Sequence, residues 1–175
     1  DSGLATESFW APEFEFYLLD KAEFWNDPCR SGFELGSIES HRNASSPESL
    51  GLFHQTGSAY HRMFPVDSLH DVRAEIASLM TAAGIQVKYH HHEGGGPGHA
   101  EIEPPLQDIF KSSDGTLLAK YIAKATAFEM GKTITFMPKP LYGEAGSGMH
   151  FHQLLYKDGR NLFYDAAGYN NLSET

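Results

Sequence analysis

Four short segments of this 175-residue chain set carboxylates or imidazoles two residues apart: Glu13-Phe14-Glu15, His90-His91-His92-Glu93, Glu101-Ile102-Glu103 and His150-Phe151-His152. Successive side chains of a β-strand point to opposite faces, so residues two apart share a face. Read as strands, the segments pair Glu13 with Glu15, Glu101 with Glu103 and His150 with His152. The histidine run offers either His91 with Glu93 or His90 with His92. The apolar residues in between suit a buried side. The pattern predicts a sheet with a polar wall on one face and an aromatic-rich wall on the other.

A wall of that kind demands cations. Two carboxylates about 4 Å apart repel by roughly 4 kcal/mol at an effective dielectric of about 20. They must protonate, separate or bind cations. A donor set rich in Glu, with one or two His and no Cys, suits Mg²⁺ or Mn²⁺. Those hard ions favour phosphate chemistry. Each segment alone is a weak signal. A lone E-x-E is commonly a solvated face, and the histidine run alone reads as a surface accident. H-x-H occurs in cupins, but a cupin wants Glu three or four residues after the second His, where this chain has Leu154 to Lys157. The GGGPG loop at 94–98 lacks the G-K-[ST] of a Walker loop and reads as a turn. The combination on strands carries the argument.

Composition narrows the partners. Thirteen Lys+Arg against 23 Asp+Glu leave a formal charge of −10, which argues against nucleic acid as a partner. The single cysteine, Cys29, excludes an internal disulfide and a Cys-based zinc site. No apolar run approaches a membrane span, and the N-terminus lacks the basic and apolar stretches of a signal peptide. The expectation is a cytoplasmic protein with no membrane partner.

Residues 9–19 read as one strand, with Phe14, Phe16 and Leu18 on one face and Glu13, Glu15 and Tyr17 on the other. From Asp20 to about Tyr60 the Asn, Asp, Pro, Gly and Ser content predicts connections around short strands. Residues 67–83 read as an amphipathic helix with Asp67 as N-cap and Gly84 as stop. Strands are expected at 85–93, 99–103, 133–137 and 149–156, then a turn at KDGRN and a short LFY strand. A second helix is expected over about 114–130, opened by Asp114 and closed by Gly131. Ser173-Glu174-Thr175 reads as a helix N-cap and first turn with nothing after it, as in a fragment of a longer protein. The fold class expected is α+β: a largely antiparallel sheet with helices on one face.

The stretch KTITFMPKPLYGEAGSGMHFHQLLYKDGRNLF at 132–163 resembles the signature of the glutamine synthetase family, bacterial type I. PEFEF at 12–16, VDS at 66–68 followed by a helix, and HHHE at 90–93 with Glu101 eight residues on occur in the family's order. The resemblance runs through almost the whole chain. It implies part of a glutamine synthetase/guanido kinase-like catalytic domain. The family's small N-terminal β domain and the C-terminal half of the catalytic domain would lie outside residues 1–175.

The resemblance implies roles residue by residue. Glu15, Glu93 and Glu101 match the carboxylates of a first Mg²⁺ or Mn²⁺ site, beside the substrate glutamate. Glu13 and His150 match two of the three ligands of a second, which holds the ATP phosphates. His152 matches a histidine on those phosphates, and His91 is placed with it. Ala145 and Gly146 fall in the glutamate-binding loop. Tyr60 falls near the ammonium pocket, where Glu93 is the second catalytic candidate. Ala145 stands where the family commonly has Asn, and Lys88 where some relatives carry a nucleotide-contacting Glu. The implied activity is ATP-dependent ligation of ammonia to glutamate, in a homo-dodecamer with active sites between subunits. A γ-glutamyl ligase for another amine, and a non-catalytic domain kept for assembly or regulation, are the competing expectations. The third ligand of the second site, the phosphate-neutralising arginines and the flap glutamate would lie elsewhere in the parent, so residues 1–175 alone are expected to be inactive.

Overall fold

A computed structural model describes residues 3–40 and 51–175. Ten strands and two long helices run β1 (Glu7–Pro12), β2 (Phe14–Leu19), β3 (Lys21–Asp27), β4 (Arg30–Gly36), α1 (His70–Ala82), β5 (Tyr89–His92), β6 (His99–Glu103), β7 (Gln107–Asp108), α2 (Ile109–Glu129), β8 (Thr133–Thr135), β9 (Phe151–Lys157) and β10 (Arg160–Asn161). Among the described residues every strand pairing is antiparallel. Two four-stranded sheets form, ordered β10-β9-β1-β7 and β5-β6-β2-β8, with β3 and β4 as a separate hairpin.

The single strand expected at 9–19 is two strands in different sheets. Pro12 has no N–H to extend a ladder. The chain breaks there, and the Glu13 N–H donates to His150 O at 3.0 Å. Glu13 therefore sits at the junction of the two sheets.

The core forms where the apolar face of β2 and β6 meets the helices. Phe14, Phe16, Leu18, Ala100 and Ile102 pack against Leu69, Val72, Ile76 and Met80 around α1 and against Ala119, Ile122, Ala123 and Ala127 of α2. Burying each large side chain contributes roughly 1.5–3 kcal/mol. The helices thus occupy one face of this sheet, as expected, and leave the other to Glu15, Glu101 and their neighbours. The α2 helix also carries an exposed apolar stripe, Phe110, Leu117, Tyr121 and Phe128. Among the described residues no helix is long and apolar enough to cross a membrane.

Several boundaries differ from expectation. Asp67 does not cap α1, whose N-cap is Leu69. Asp67 is buried and paired with Arg73, whose Nη1 donates to its Oδ1 at 2.8 Å. The α2 helix begins five residues early, because Asp108 accepts from Phe110 N at 3.0 Å and caps it. Gly84 and Gly131 do end their helices, both at positive φ. The region after Asp20 contains the β3–β4 hairpin, turned by Asp27, which accepts from Cys29 N and Arg30 N. The strand expected at 85–93 narrows to β5. Of the LFY strand only an isolated bridge from Tyr164 to Leu172 remains. Phe151, expected on the buried side, is half exposed. Ser173 turns back, its N–H on Phe163 O, rather than opening a helix. The RNASSPES stretch lies outside the described residues.

Candidate metal and phosphate site

Antiparallel register brings the polar residues of β2, β5 and β6 together. Glu15 stands opposite Glu101, and Glu101 stands opposite His91. His91 lies between two carboxylates, its Nε2 3.5 Å from Glu101 Oε2 and its Nδ1 3.5 Å from Glu93 Oε2. Glu93 Oε2 is buried and has no hydrogen-bond partner. Burial first, then the Glu93 and Glu13 carboxylates, push the Glu101 carboxyl up to about 8. Burial leads this rise, and the neighbouring carboxylates add the repulsion the sequence implies.

The second sheet adds the histidines. Glu13 Oε2 faces His150 Nδ1 at 3.0 Å and Glu13 Oε1 faces His152 Nε2 at 2.7 Å. Three sets of side chains each bring one donor atom within 4.8 Å of the others: Glu13, Glu15 and His150; Glu13, Glu103 and His152; and His91, Glu93 and Glu101. The oxygen-rich donors, an unpartnered buried carboxylate oxygen and a carboxyl driven toward protonation all fit hard divalent cations.

The histidine run divides as a strand requires. His91 joins Glu93 and Glu101. His90 turns toward α1, with its ring 5.6 Å from that of His70, and His92 is fully buried on Glu39. Tyr60 is exposed, edge-on to His91 at 5.4 Å. Burial first, then the carboxylates of Glu93, Glu101 and Glu13, raise its hydroxyl.

The 143–148 loop lies beside this wall. Tyr17, fully buried, donates to Ala145 O and stacks on His99 with ring centres 4.4 Å apart. A Cβ on Gly146 would sit 2.2 Å from Pro138 O, so only glycine permits this loop. The GGGPG loop is equally constrained: Gly98 has φ +85°, and a Cβ there would sit 2.0 Å from Leu18 O.

Sequence reasoning missed one contributor. His99 Nδ1 accepts from Gly95 N at 2.9 Å, which leaves its Nε2–H facing Glu15 Oε2 at 3.4 Å. Burial pulls the His99 imidazole down to about 4, so it stays neutral. Glu103 is buried; Lys88 Nζ donates to its Oε1 at 2.8 Å and the Tyr89 hydroxyl to its Oε2. The E-I-E spacing places Glu103 on the polar face, but only the fold shows the lysine beside it.

Residues 1–175 match the family model described as glutamine synthetase, catalytic domain. A glutamine synthetase of Frankia alni is 38% identical over 99% of this chain and 37% of its own length. A 3-hydroxylaminophenol mutase of Cupriavidus pinatubonensis is 37% identical over 99% of the chain, again 37% of its own length. The cryo-electron-microscopy structure of Plasmodium falciparum glutamine synthetase superposes with a TM-score of 0.86 at 27% identity, covering 98% of this chain and 34% of that one. The chain thus spans a little over a third of the length of these relatives. It belongs to the glutamine synthetase family, and residues 1–175 match the model of that family's catalytic domain.

Proposed function

We propose that this chain supplies part of the active site of an ATP-dependent glutamate–ammonia ligase that forms glutamine through γ-glutamyl phosphate. The observation that supports it best is the meeting of two donor sets, Glu13 with Glu15 and His150, and Glu93 with Glu101 and His91, across the Glu15–Glu101 pairing of a glutamine synthetase-family domain.

In this reading Glu15, Glu93 and Glu101 would hold one divalent cation, and Glu13 and His150 would share in a second. A Mg²⁺ or Mn²⁺ ion held there would supply positive charge against the phosphates. Glu101 would give up its proton to serve as a ligand. Glu13, held between His150 and His152, keeps its two oxygens fixed for that task. His152 presents a ring nitrogen to the ATP phosphates, with His91 beside that site between Glu93 and Glu101. The loop at Ala145 and Gly146, tied down by Tyr17, receives glutamate. The γ-carboxylate of glutamate attacks the γ-phosphorus of ATP and ADP leaves. Ammonia then attacks the acyl carbon, loses a proton on the side of Glu93 and Tyr60, and phosphate departs.

The remaining ligand, the phosphate-binding arginines and the water-excluding flap belong to the rest of the parent protein. The parent is read as a cytoplasmic homo-dodecamer. Incubating it with ATP, glutamate and ammonia should give ADP and glutamine in equal amounts.

A second reading is a ligase for an amine other than ammonia. The mutase relative supports keeping it, because similar identity over the same span accompanies a different named activity. Turnover with an amine but not with ammonia would select it. Failure of the parent to bind ATP or glutamate would leave only a non-catalytic role.

A further inference from the structure

We propose that Glu39, His54 and His92 form a second kind of metal site, buried behind the carboxylate wall and suited to Zn²⁺ or a similar borderline transition ion. The three side chains come from separate parts of the chain, and all three are at least 97% buried. Their donor atoms lie within 4.8 Å of one another. Glu39 Oε2 is 3.0 Å from His92 Nε2, and Glu39 Oε1 is 3.4 Å from His54 Nε2. Ligands about 2.0–2.1 Å from a tetrahedral zinc ion stand about 3.3 Å apart. The two Glu39–His spacings, one to each carboxylate oxygen, are close to that value.

Donor and acceptor counting points the same way. His92 Nδ1 lies 2.8 Å from Glu93 O, a carbonyl that can only accept, so Nδ1 carries the hydrogen. In the neutral ring the Nε2 lone pair then faces the Glu39 carboxylate, acceptor against acceptor. His54 Nε2 is buried and has no hydrogen-bond partner. Glu39 has no Lys or Arg in ion-pair contact among the described residues. A buried anion faced by two imidazole nitrogens is costly unless a cation joins them.

The surroundings are those of a supported metal site. Ligating histidines usually donate their other ring nitrogen to a carbonyl or carboxylate, and ligating carboxylates are themselves hydrogen-bonded. Here His92 donates to Glu93 O, while Glu39 accepts from Gly98 N at 2.8 Å, Ser68 N at 3.1 Å and Ser68 Oγ at 3.0 Å. His54 also borders an open pocket with Thr56, Pro97 and Glu144, which gives an ion a way in. Two imidazoles and one carboxylate suit Zn²⁺ or Co²⁺ better than Mg²⁺. A bound ion would fix His92, and through the next residue Glu93, from behind. The site does not depend on the ligase reading.

The test is Co²⁺ and Zn²⁺ binding by the protein with the carboxylate wall saturated in Mg²⁺. The expected result is one Co²⁺ per chain, with the visible absorption of four-coordinate cobalt, displaced by one Zn²⁺. His54→Phe removes a donor that makes no hydrogen bond, and should weaken Zn²⁺ at least 100-fold. Glu101→Gln should leave the cobalt spectrum unchanged. If His54→Phe does not fold, a four-coordinate cobalt spectrum that persists in both Glu101→Gln and Glu13→Gln decides the matter, because the two variants between them disrupt every donor set of the wall. Absence of a cobalt spectrum in the wild-type protein, unchanged affinity in His54→Phe, or loss of the spectrum in either wall variant would overturn the proposal and leave a His92 imidazolium paired with Glu39.

Discussion

Glu15 and Glu101 face each other across the β2–β6 pairing, one carboxylate opposite the other on the sheet face that the helices leave open. Like charges directly opposed on a sheet are destabilising. The fold retains the pair, and burial with neighbouring carboxylates holds Glu101 toward its protonated form. Replacing Glu101 by Gln should raise the melting temperature of metal-free protein by a few degrees. In the parent enzyme it should also cost more activity than the roughly 10–100-fold typical of a change in an outer-shell partner. Thermal melts in chelator, set beside turnover with Mg²⁺, check both halves.

The pH dependence follows from the same carboxyl. Its folded pKa of about 8 exceeds the ordinary carboxyl value of 4.5, so the folded state binds the proton more tightly and stability falls as pH rises toward 8. His99 works in the opposite sense lower down. Its folded value near 4 lies below 6.5, so its stabilisation is lost as pH falls through that range. Between about 6.5 and 8 the Glu101 effect stands alone. Metal-free protein should therefore melt at a lower temperature at pH 8 than at pH 6.5, and Mg²⁺ should reverse the loss. Melts at the two pH values with and without Mg²⁺, repeated on Glu101→Gln, measure this. A slope that persists in the variant would assign it to another group.

Much of this wall was legible because strand alternation is a local property. E-x-E and H-x-H state which side chains share a face, and the structure keeps those pairs together. The break at Glu13 was also within reach, since Pro12 cannot continue a ladder. The start of α2 was misplaced because Asp108 and Asp114 are equally good caps by type, and only Asp108 has its side chain on a free N–H. Glu39 and His54 carry no periodic signal. They lie in irregular chain and meet His92 only through tertiary packing, which no short window of sequence contains.

Asp67 gives a sharper case. A capping Asp replaced by Ala costs typically about 1 kcal/mol. Removing one partner of a buried ion pair costs about 3–5 kcal/mol. With Arg73 left unpaired in the core, Asp67→Ala should fall in the second range, and the pair replacement Asp67→Ala with Arg73→Met should recover much of the loss. Urea unfolding of the three variants distinguishes a cap from a core ion pair.

Gly146→Ala should cost about 1–3 kcal/mol, as overpacking does, because the new methyl would press on Pro138 O. In the parent enzyme KM for glutamate should rise more than KM for ATP. Equal changes in both would mean that the loop does not hold glutamate.

Manganese binding followed by electron paramagnetic resonance reaches the central claim most directly. Glu13, Glu15, Glu93, Glu101 and His150 on one wall should hold two Mn²⁺ ions per chain of the parent enzyme, close enough to couple magnetically, and Glu101→Gln should abolish the coupled signal. Two isolated Mn²⁺ signals, or a coupled signal that survives Glu101→Gln, would contradict it.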